Sequence, residues 1–356
     1  MTNGSPVNDP AVAPWVATLA PLGDDELFLT ATCGGALVAP DRVVTAAHCV
    51  DQMDPSLLRV HINARLLSRD PGIVRGVRGI SALPGYEILP TPATPGSAEN
   101  GSARDDLAVI VLDAPVDNVA VLPIADHRPE PGQPVTFYAH GNTGKEVAFD
   151  DPEYRSDVLH GGDLQVISHS DCAAATPATV DENSVVCAQD FSDSPVTGCW
   201  RDSGSPMVSY TDGEPRLVGL FSFGGETADK QCGEPAPLAL ADPTAFRDWI
   251  YGPLPDREPY PANRPAVTRD DRSLHCEAPA WDSEHGGQPS EVSFEWATRK
   301  YFADVIPVLT PIPGATTPTL SLADTSELPS DDVVCVVSAS NRGGSIQVWS
   351  DGVRIG

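Results

Sequence analysis

The chain has 356 residues, long for one domain, and 41% are hydrophobic without an apolar run of membrane-spanning length, so its composition is globular and offers no spanning helix. A formal net charge of −28 at pH 7 argues against nucleic acid and anionic membranes as partners. The acidity runs through the whole chain, with 13 acids against 6 bases in residues 265–356 and a larger excess before them, as expected of a solvated surface.

In chain order, Met1-Thr2-Asn3-Gly4 has neither the basic start nor the apolar core of a signal peptide, so the chain is expected to be a mature form. Asn3-Gly4-Ser5 and Asn100-Gly101-Ser102 are glycosylation sequons. Up to about residue 240 the chain reads as short β runs, such as Val43-Val44, Leu107 to Leu112, Pro134 to Tyr138 and Leu217 to Ser222. Pro, Gly, Asp and Asn separate them, and this spacing predicts an all-β sandwich or barrel. Residues 91–104 are a low-complexity loop. Pro243 to Tyr251 is the best helix candidate, with Pro at its start and Phe246, Trp249 and Ile250 at helical spacing. The proline-rich residues 253–264 read as a stiff linker, which divides the chain into 1–252 and 265–356. Eight cysteines without CxxC or Cys/His zinc spacing favour disulfides and an oxidising compartment over metal.

Three segments carry chemistry. In Gly198-Cys199-Trp200-Arg201-Asp202-Ser203-Gly204-Ser205-Pro206 a serine lies between an aspartate and a glycine just after a cysteine, which reads as a nucleophile on a tight, disulfide-anchored turn. Upstream lie Thr45-Ala46-Ala47-His48-Cys49 and Asp105-Asp106-Leu107-Ala108-Val109-Ile110-Val111-Leu112. A serine hydroxyl is a poor nucleophile at neutral pH. It needs a base to take its proton and a third group to hold that base in the right tautomer. His48, Asp106 and Ser203 supply this set in the chain order His, Asp, Ser. Strand alternation is expected to turn the adjacent Asp105 to the opposite face.

On these residues, with Trp15-Val16-Ala17-Thr18-Leu19, Cys33-Gly34-Gly35-Ala36-Leu37-Val38, Gly219-Leu220-Phe221-Ser222-Phe223-Gly224 and Trp249-Ile250, the chain resembles the chymotrypsin/trypsin-like serine peptidases over residues 1–252. The resemblance implies an all-β domain of two six-stranded barrels of the chymotrypsin type with a short C-terminal helix and a cleft between the barrels. It implies the disulfides Cys33–Cys49, Cys172–Cys187 and Cys199–Cys232, which leave Cys276 with Cys335. By the same resemblance the backbone N–H groups of Ser203 and Arg201 form the oxyanion hole, with Arg201 standing where the family usually has glycine. The Arg201 side chain is expected near the leaving-group side of the cleft. Thr197 and Gly198 lie at the base of the specificity pocket, Gly224 on one wall and Leu238, in place of a usual glycine, on the other. No acid stands at that base, so Lys and Arg are not the expected preference, and Leu238 implies a shallow pocket for a small or medium apolar residue. Glu226 and Glu234 lie in nearby loops. Ser222, Phe223 and Gly224 are expected to pair with the substrate backbone. Asp202 is expected to pair with a freed N-terminal amine near Met1.

The resemblance implies a secreted endopeptidase acting on peptides or proteins, with no cofactor and no metal. His61, His127, His140, His160, His169, His275 and His285 show no paired ligand spacing. A second reading stays open on Arg201 and Leu238, that of a catalytically weak or silent homologue serving in binding or adhesion.

After the linker, Cys276, Trp296 about twenty residues on, and Cys335 inside Val333-Val334-Cys335-Val336-Val337-Ser338 form an immunoglobulin-like signature. Asn341 to Ser345 supply a hairpin turn, while Val333 stands where the usual corner tyrosine would be. The segment resembles bacterial immunoglobulin-like domains appended to secreted enzymes. It is expected to be a β-sandwich that acts as a spacer or binds cell wall, carbohydrate or substrate, in the last case tethering a target near the cleft.

Overall fold

A computed structural model describes residues 1–9, 11–23, 26–51, 53–89, 101–148, 150–224, 232–252, 258–282, 288–302, 306–322, 332–341 and 344–354, without the side chains of 300–302 and 306–308. Asn100, most of the 91–104 loop, Glu226, His285, residues 253–257 of the linker and 342–343 of the hairpin turn lie outside the described residues. The chain divides into two compact units, Met1–Pro253 and Leu254–Gly356.

The first unit begins with a two-residue strand β1 (Ser5–Pro6), then β2 (Val16–Pro21), the short helix α1 (Leu27–Thr30), β3 (Cys33–Ala39), β4 (Arg42–Thr45), β5 (Leu58–Ile62), β6 (Ile73–Ala82), β7 (Glu87–Leu89), β8 (Ser102–Arg104) and β9 (Ala108–Leu112). Strands β2-β3-β4-β9-β6-β5 close into a six-stranded barrel, and β7 pairs with β8 beside it. The reason is legible in β5, where Leu58, Val60 and Ile62 point into the core and Arg59 and His61 outward, the period of two of a half-buried strand. Strand β9 is buried along its whole length, which suits Ala108-Val109-Ile110-Val111-Leu112.

Next come β10 (Pro134–Ala139), β11 (His160–Ile167), α2 (His169–Ala175), β12 (Val185–Gln189), β13 (Pro206–Thr211), β14 (Glu214–Gly224), β15 (Leu238–Ala241) and α3 (Arg247–Tyr251). Strands β11-β10-β13-β14-β15-β12 run in that order and β12 pairs back to β11, closing a second six-stranded barrel with β1 added outside β11. Its core is built on Phe137, Val196, Met207, Phe221, Leu238 and Leu240. Trp15 meets Tyr138 edge to face across the two barrels, with ring centroids 5.5 Å apart. The helix expected over Pro243–Tyr251 is a 3₁₀ turn at Thr244–Phe246 followed by α3. Its C-terminal carbonyls at Ile250 and Gly252 accept hydrogen bonds from the Arg42 guanidinium.

The second unit holds a three-stranded sheet of β16 (Ala266–Arg269), β17 (Ser273–Glu277) and β20 (Thr319–Ser321). A five-stranded sheet is made by β18 (Glu291–Phe302), β19 (Ile306–Pro311), β21 (Asp332–Asn341), β22 (Gly344–Trp349) and β23 (Val353–Arg354). The sheets share one core of Leu274, Leu320, Trp296, Val333, Val337 and Val348. The disulfide from Cys276 on β17 to Cys335 on β21 joins them. The fully buried Trp296 directs its indole N–H to Thr317 O at 2.9 Å. Val333 fills the core and lies opposite Val353. The linker is not a free spacer to its end: Tyr260 O and Ala262 N bond to Asp282 N and Ala280 O, so residues 260–262 lie along 280–282 within this unit.

All eight cysteines are bonded, as Cys33–Cys49, Cys172–Cys187, Cys199–Cys232 and Cys276–Cys335. Among the described residues no helix is long and apolar enough to cross a membrane.

Candidate active site

The segment carrying Ser203 is fastened from several sides. Cys199 is bonded to Cys232, and two consecutive turns follow, Asp202 N to Cys199 O at 3.1 Å and Ser205 N to Asp202 O at 3.0 Å. Gly204 lies at φ +75°, and a Cβ there would fall 2.2 Å from Thr45 Oγ1 and 2.5 Å from Gly34 O. Only glycine fits that approach. Gly34 N donates to Ser203 O at 2.7 Å, which seats this turn of the second barrel against β3 of the first.

Asp202 is fully buried and fully partnered. Its carboxylate accepts from Gly141 N at 2.7 Å and Cys199 N at 2.9 Å, and lies 2.6 Å from the Met1 ammonium. A charge buried this deeply is tolerated only with such partners. Burial drives the Met1 amine pKa below its ordinary value, against the opposing pull of Asp202.

His48 sits in a 3₁₀ turn, Ala47–Cys49, whose position is set by the Cys33–Cys49 bridge. Its backbone N–H donates to Asp106 Oδ1 at 2.8 Å, and its ring Nδ1 lies 2.7 Å from Asp106 Oδ2. The carboxylate therefore accepts the hydrogen bond of Nδ1–H and leaves Nε2 as the lone-pair nitrogen. Burial pulls the His48 pKa down, but the charge and hydrogen bond of Asp106, helped by Asp51, outweigh it and leave it raised. Burial pushes Asp106 up, and His48 together with the Ser222 hydroxyl, which donates to Oδ2, brings it below the ordinary carboxylate value.

Asp105 is turned away, though not by strand alternation as expected. Strand β9 starts only at Ala108, and Asp105 adopts φ +49° in the turn before it. Its carboxylate lies towards Gly85, while Asp106 faces His48. His48 Nε2 lies 3.8 Å from Cys49 Sγ, and among the described residues Ser203 Oγ makes no hydrogen bond to it. Such contacts are often long without substrate and close when it binds.

Arg201 has φ +70°. Its Nη1 donates to Leu29 O at 2.9 Å and Ala31 O at 2.8 Å, so the side chain is gathered onto the C-terminal end of α1. The preceding carbonyl, Trp200 O, accepts from Asn142 N at 2.8 Å. In a trans peptide the N–H opposes the carbonyl, so Arg201 N–H points away from Asn142.

Of the residues expected around a pocket, Gly198 and Leu238 lie with a side chain that sequence reasoning missed, Phe221. The Phe221 ring lies so close to Gly198 that a Cβ on Gly198 would fall 2.5 Å from its Cζ. Phe221 and Leu238 belong to the same buried cluster. The Thr197 hydroxyl is engaged by Thr2 Oγ1 at 2.7 Å and Gly233 N at 2.8 Å. Gly224 lies opposite Leu238 on β15 at φ +84°, where a Cβ would fall 2.6 Å from Pro237 O. Phe223 lies opposite Ala239 and is partly exposed, and Glu234 is exposed. Ser222 sits at the register shift between Phe221 and Phe223, which turns its hydroxyl to Asp106. Its role on the carboxylate was not read from the sequence.

Among the described residues, the atoms grouped closely enough to hold an ion are those of Cys33, His48 and Cys49, but both sulfurs are in a disulfide and supply no thiolate. His61, His160 and His169 bond to carbonyls and His275 to Asp270. His127 is exposed. His140 is buried between Ser156 O and Ala64 O, and burial holds its pKa down at about 4.

The arrangement is a histidine oriented by a buried carboxylate, beside a turn that presents a serine. It can draw the proton from a hydroxyl whose oxygen attacks a carbonyl carbon. The family model for trypsin matches residues 1–250. The chain belongs to the trypsin family. It is a serine-type endopeptidase, and the trypsin match ends before its second unit. A trypsin from Saccharopolyspora erythraea is 30% identical over 194 residues, covering 54% of this chain and 75% of that protein. Trypsin epsilon from Drosophila erecta is 26% identical over 226 residues, covering 61% of this chain and 76% of its own length. The structure of neuropsin, a serine protease expressed in the limbic system of mouse brain, superposes on the fold. Its TM-score is 0.55 and its identity 24%, over 70% of this chain and 98% of that one.

Proposed function

We propose that the first unit cleaves peptide bonds through an acyl-enzyme formed on Ser203. His48 takes the Ser203 proton as the hydroxyl oxygen attacks the scissile carbonyl, then gives it to the departing amine. Asp106 holds the imidazole with Nε2 free and stabilises the imidazolium. A water then attacks the acyl carbon with His48 again as base, which releases the acid product and restores the serine. The oxyanion of each tetrahedral intermediate is received by the N–H groups of Ser203 and Arg201, and one such donor contributes about 10²–10³ in kcat. Asp202, paired with the residue-1 amine, holds this turn in place. The single observation that carries the reading is the two-point contact of His48 with buried Asp106, 2.8 Å and 2.7 Å, inside a trypsin-family domain.

For the residue before the scissile bond we propose a small apolar side chain. Phe221, Gly198 and Leu238 fill the space that a large one would need, and no carboxylate stands at Thr197 to take Lys or Arg. The substrate backbone pairs with Ser222, Phe223 and Gly224 as an added strand. The filled pocket is also the observation that favours the second reading, a silent homologue acting in binding.

The four disulfides support a secreted protein. The second unit, with its inter-sheet disulfide against a buried tryptophan, is proposed to be immunoglobulin-like and to hold a cell-surface or substrate ligand.

The test is hydrolysis of a peptide-ester and peptide-amide panel by this chain and by Ser203→Ala, varying the residue before the cleaved bond. Turnover lost in Ser203→Ala, with alanine preferred over leucine, phenylalanine and arginine, supports the reading. A chain with its disulfides formed that neither turns over nor is labelled by a serine-directed fluorophosphonate fits the silent homologue instead.

A further inference from the structure

At φ +70° Arg201 holds a backbone conformation that glycine adopts freely and an arginine resists. The structure shows what accompanies it. The Arg201 guanidinium reaches back over 170 residues of chain to Ala31 O and also bonds Leu29 O, and it lies over the Tyr154 ring at 5.9 Å from the centroid. The far side of this clasp is fixed in turn. Arg155, only 3% exposed, donates from Nη1 to Phe28 O at 3.1 Å and to the same Ala31 O at 2.8 Å, and from Nε to His140 O at 3.2 Å. Two guanidiniums thus share one carbonyl, and hydrogen bonds with a charged donor are the stronger kind. His140, just past the end of β10, leads into Gly141, which donates to Asp202, and Asn142, which donates to Trp200 O. The peptide between Trp200 and Arg201 is therefore gripped at its carbonyl by Asn142 and, through the side chain of Arg201, by the C-terminal end of α1.

We propose that Arg201 is a positioning residue. Its clasp on Leu29, Ala31 and Tyr154 fixes the left-handed backbone at position 201, so that the N–H of the Trp200–Arg201 peptide stays aimed at the oxyanion formed on Ser203. The proposal rests on the acyl-enzyme reading above. An N–H held in place before the reaction stabilises the charged tetrahedral state more than the neutral carbonyl of the substrate. Loosening it therefore lowers kcat and leaves KM nearly unchanged.

The experiment compares the full chain with Arg201→Gly and Arg201→Lys. Glycine removes the clasp while accepting the backbone angle without strain. Lysine keeps the charge and can reach one carbonyl. Three quantities are read: kcat and KM on the best peptide amide, the inhibition constant of the matching peptide boronic acid, whose tetrahedral adduct sets an oxygen in the hole, and that of the matching peptide carboxylic acid, which forms none. In Arg201→Gly the expected result is a kcat lower by about tenfold or more, short of the 10²–10³ for losing a donor outright. KM should stay within about twofold and boronate binding should weaken by the same factor as kcat, with the product acid unaffected. Arg201→Lys should recover part of the loss. Glycine and lysine variants with unchanged kcat and boronate affinity overturn the proposal, as does a loss that appears equally in the product acid. A starting chain without Ser203-dependent turnover overturns the acyl-enzyme reading itself. That outcome is distinct, because failure of the clasp alone leaves the starting chain and the glycine variant equally active.

Discussion

Replacing Phe221 by alanine should open the pocket and weaken the second barrel at once. The ring is 3% exposed, touches Gly198, and lies 5.6 Å from Phe137 between centroids. Burying an aromatic side chain removes ~150–250 Å² from water, worth about 4–6 kcal/mol at ~25 cal/mol/Å². Alanine keeps part of that, and the measured range for such truncations is about 3–5 kcal/mol. Phe221→Val, which leaves a smaller void, should lose about half as much by the same reasoning. The freed volume lies against Gly198, where the side chain before the scissile bond is proposed to enter, and one methylene accommodated there is worth about 1–3 kcal/mol. The ratio of kcat/KM for a leucine over an alanine substrate should therefore rise by at least about 10-fold, the lower figure for a single methylene, in either variant that folds. Urea unfolding and a peptide-amide panel measure both effects on one preparation. A folded Phe221→Val with the parent's preference would show that the ring does not bound the pocket.

Other outcomes follow from the site. Asp106→Asn should cut kcat by about 10⁴, the effect established for the equivalent change in a related peptidase, with the fold retained. Because the His48 pKa is raised, the acid limb of kcat/KM should lie above the ordinary value of 6.5, as turnover needs the neutral ring. The stability contributed by the raised His48 pKa runs oppositely, fully present below the unfolded value of 6.5 and lost as pH rises through the folded one, and both are read from pH profiles of rate and urea midpoint. A dipeptide added ahead of Met1 should lower kcat at least tenfold by removing the ammonium from buried Asp202; equal turnover of both forms would refute this. Converting Cys276 and Cys335 to alanine together should destabilise the second unit by about 2–5 kcal/mol in a thermal melt and leave small-peptide turnover unchanged.

What the sequence disclosed was local or paired by resemblance. The serine between aspartate and glycine, and the histidine beside a cysteine, are short patterns whose neighbours state their chemistry. Distant geometry was not legible. The engagement of Arg201 with Ala31 spans 170 residues and has no local mark. Phe221 looks like any inward aromatic of a strand, and only the register shift between it and Phe223 decides which neighbour each side chain meets. The same shift turned Ser222, expected only along the substrate, towards Asp106. Adjacent aspartates suggest strand alternation, but a positive φ at Asp105 in the turn is what sets it apart from Asp106. The linker was read from proline content, which does not reveal that residues 260–262 find partners at 280–282.

The ties of Thr197 bear on how readily this enzyme could evolve a new appetite. In the pocket proposed above, a carboxylate at position 197 is the change that would favour basic substrates. Yet that side chain already meets Thr2 and Gly233, and its carbonyl receives Thr2 N at 3.0 Å. An aspartate introduced there would be engaged by those inward donors rather than presented to a guest, and Phe221 would still stand in the way. On the pocket proposed above, a preference for basic side chains would take changes at both 197 and 221, because freeing either position leaves the other closed.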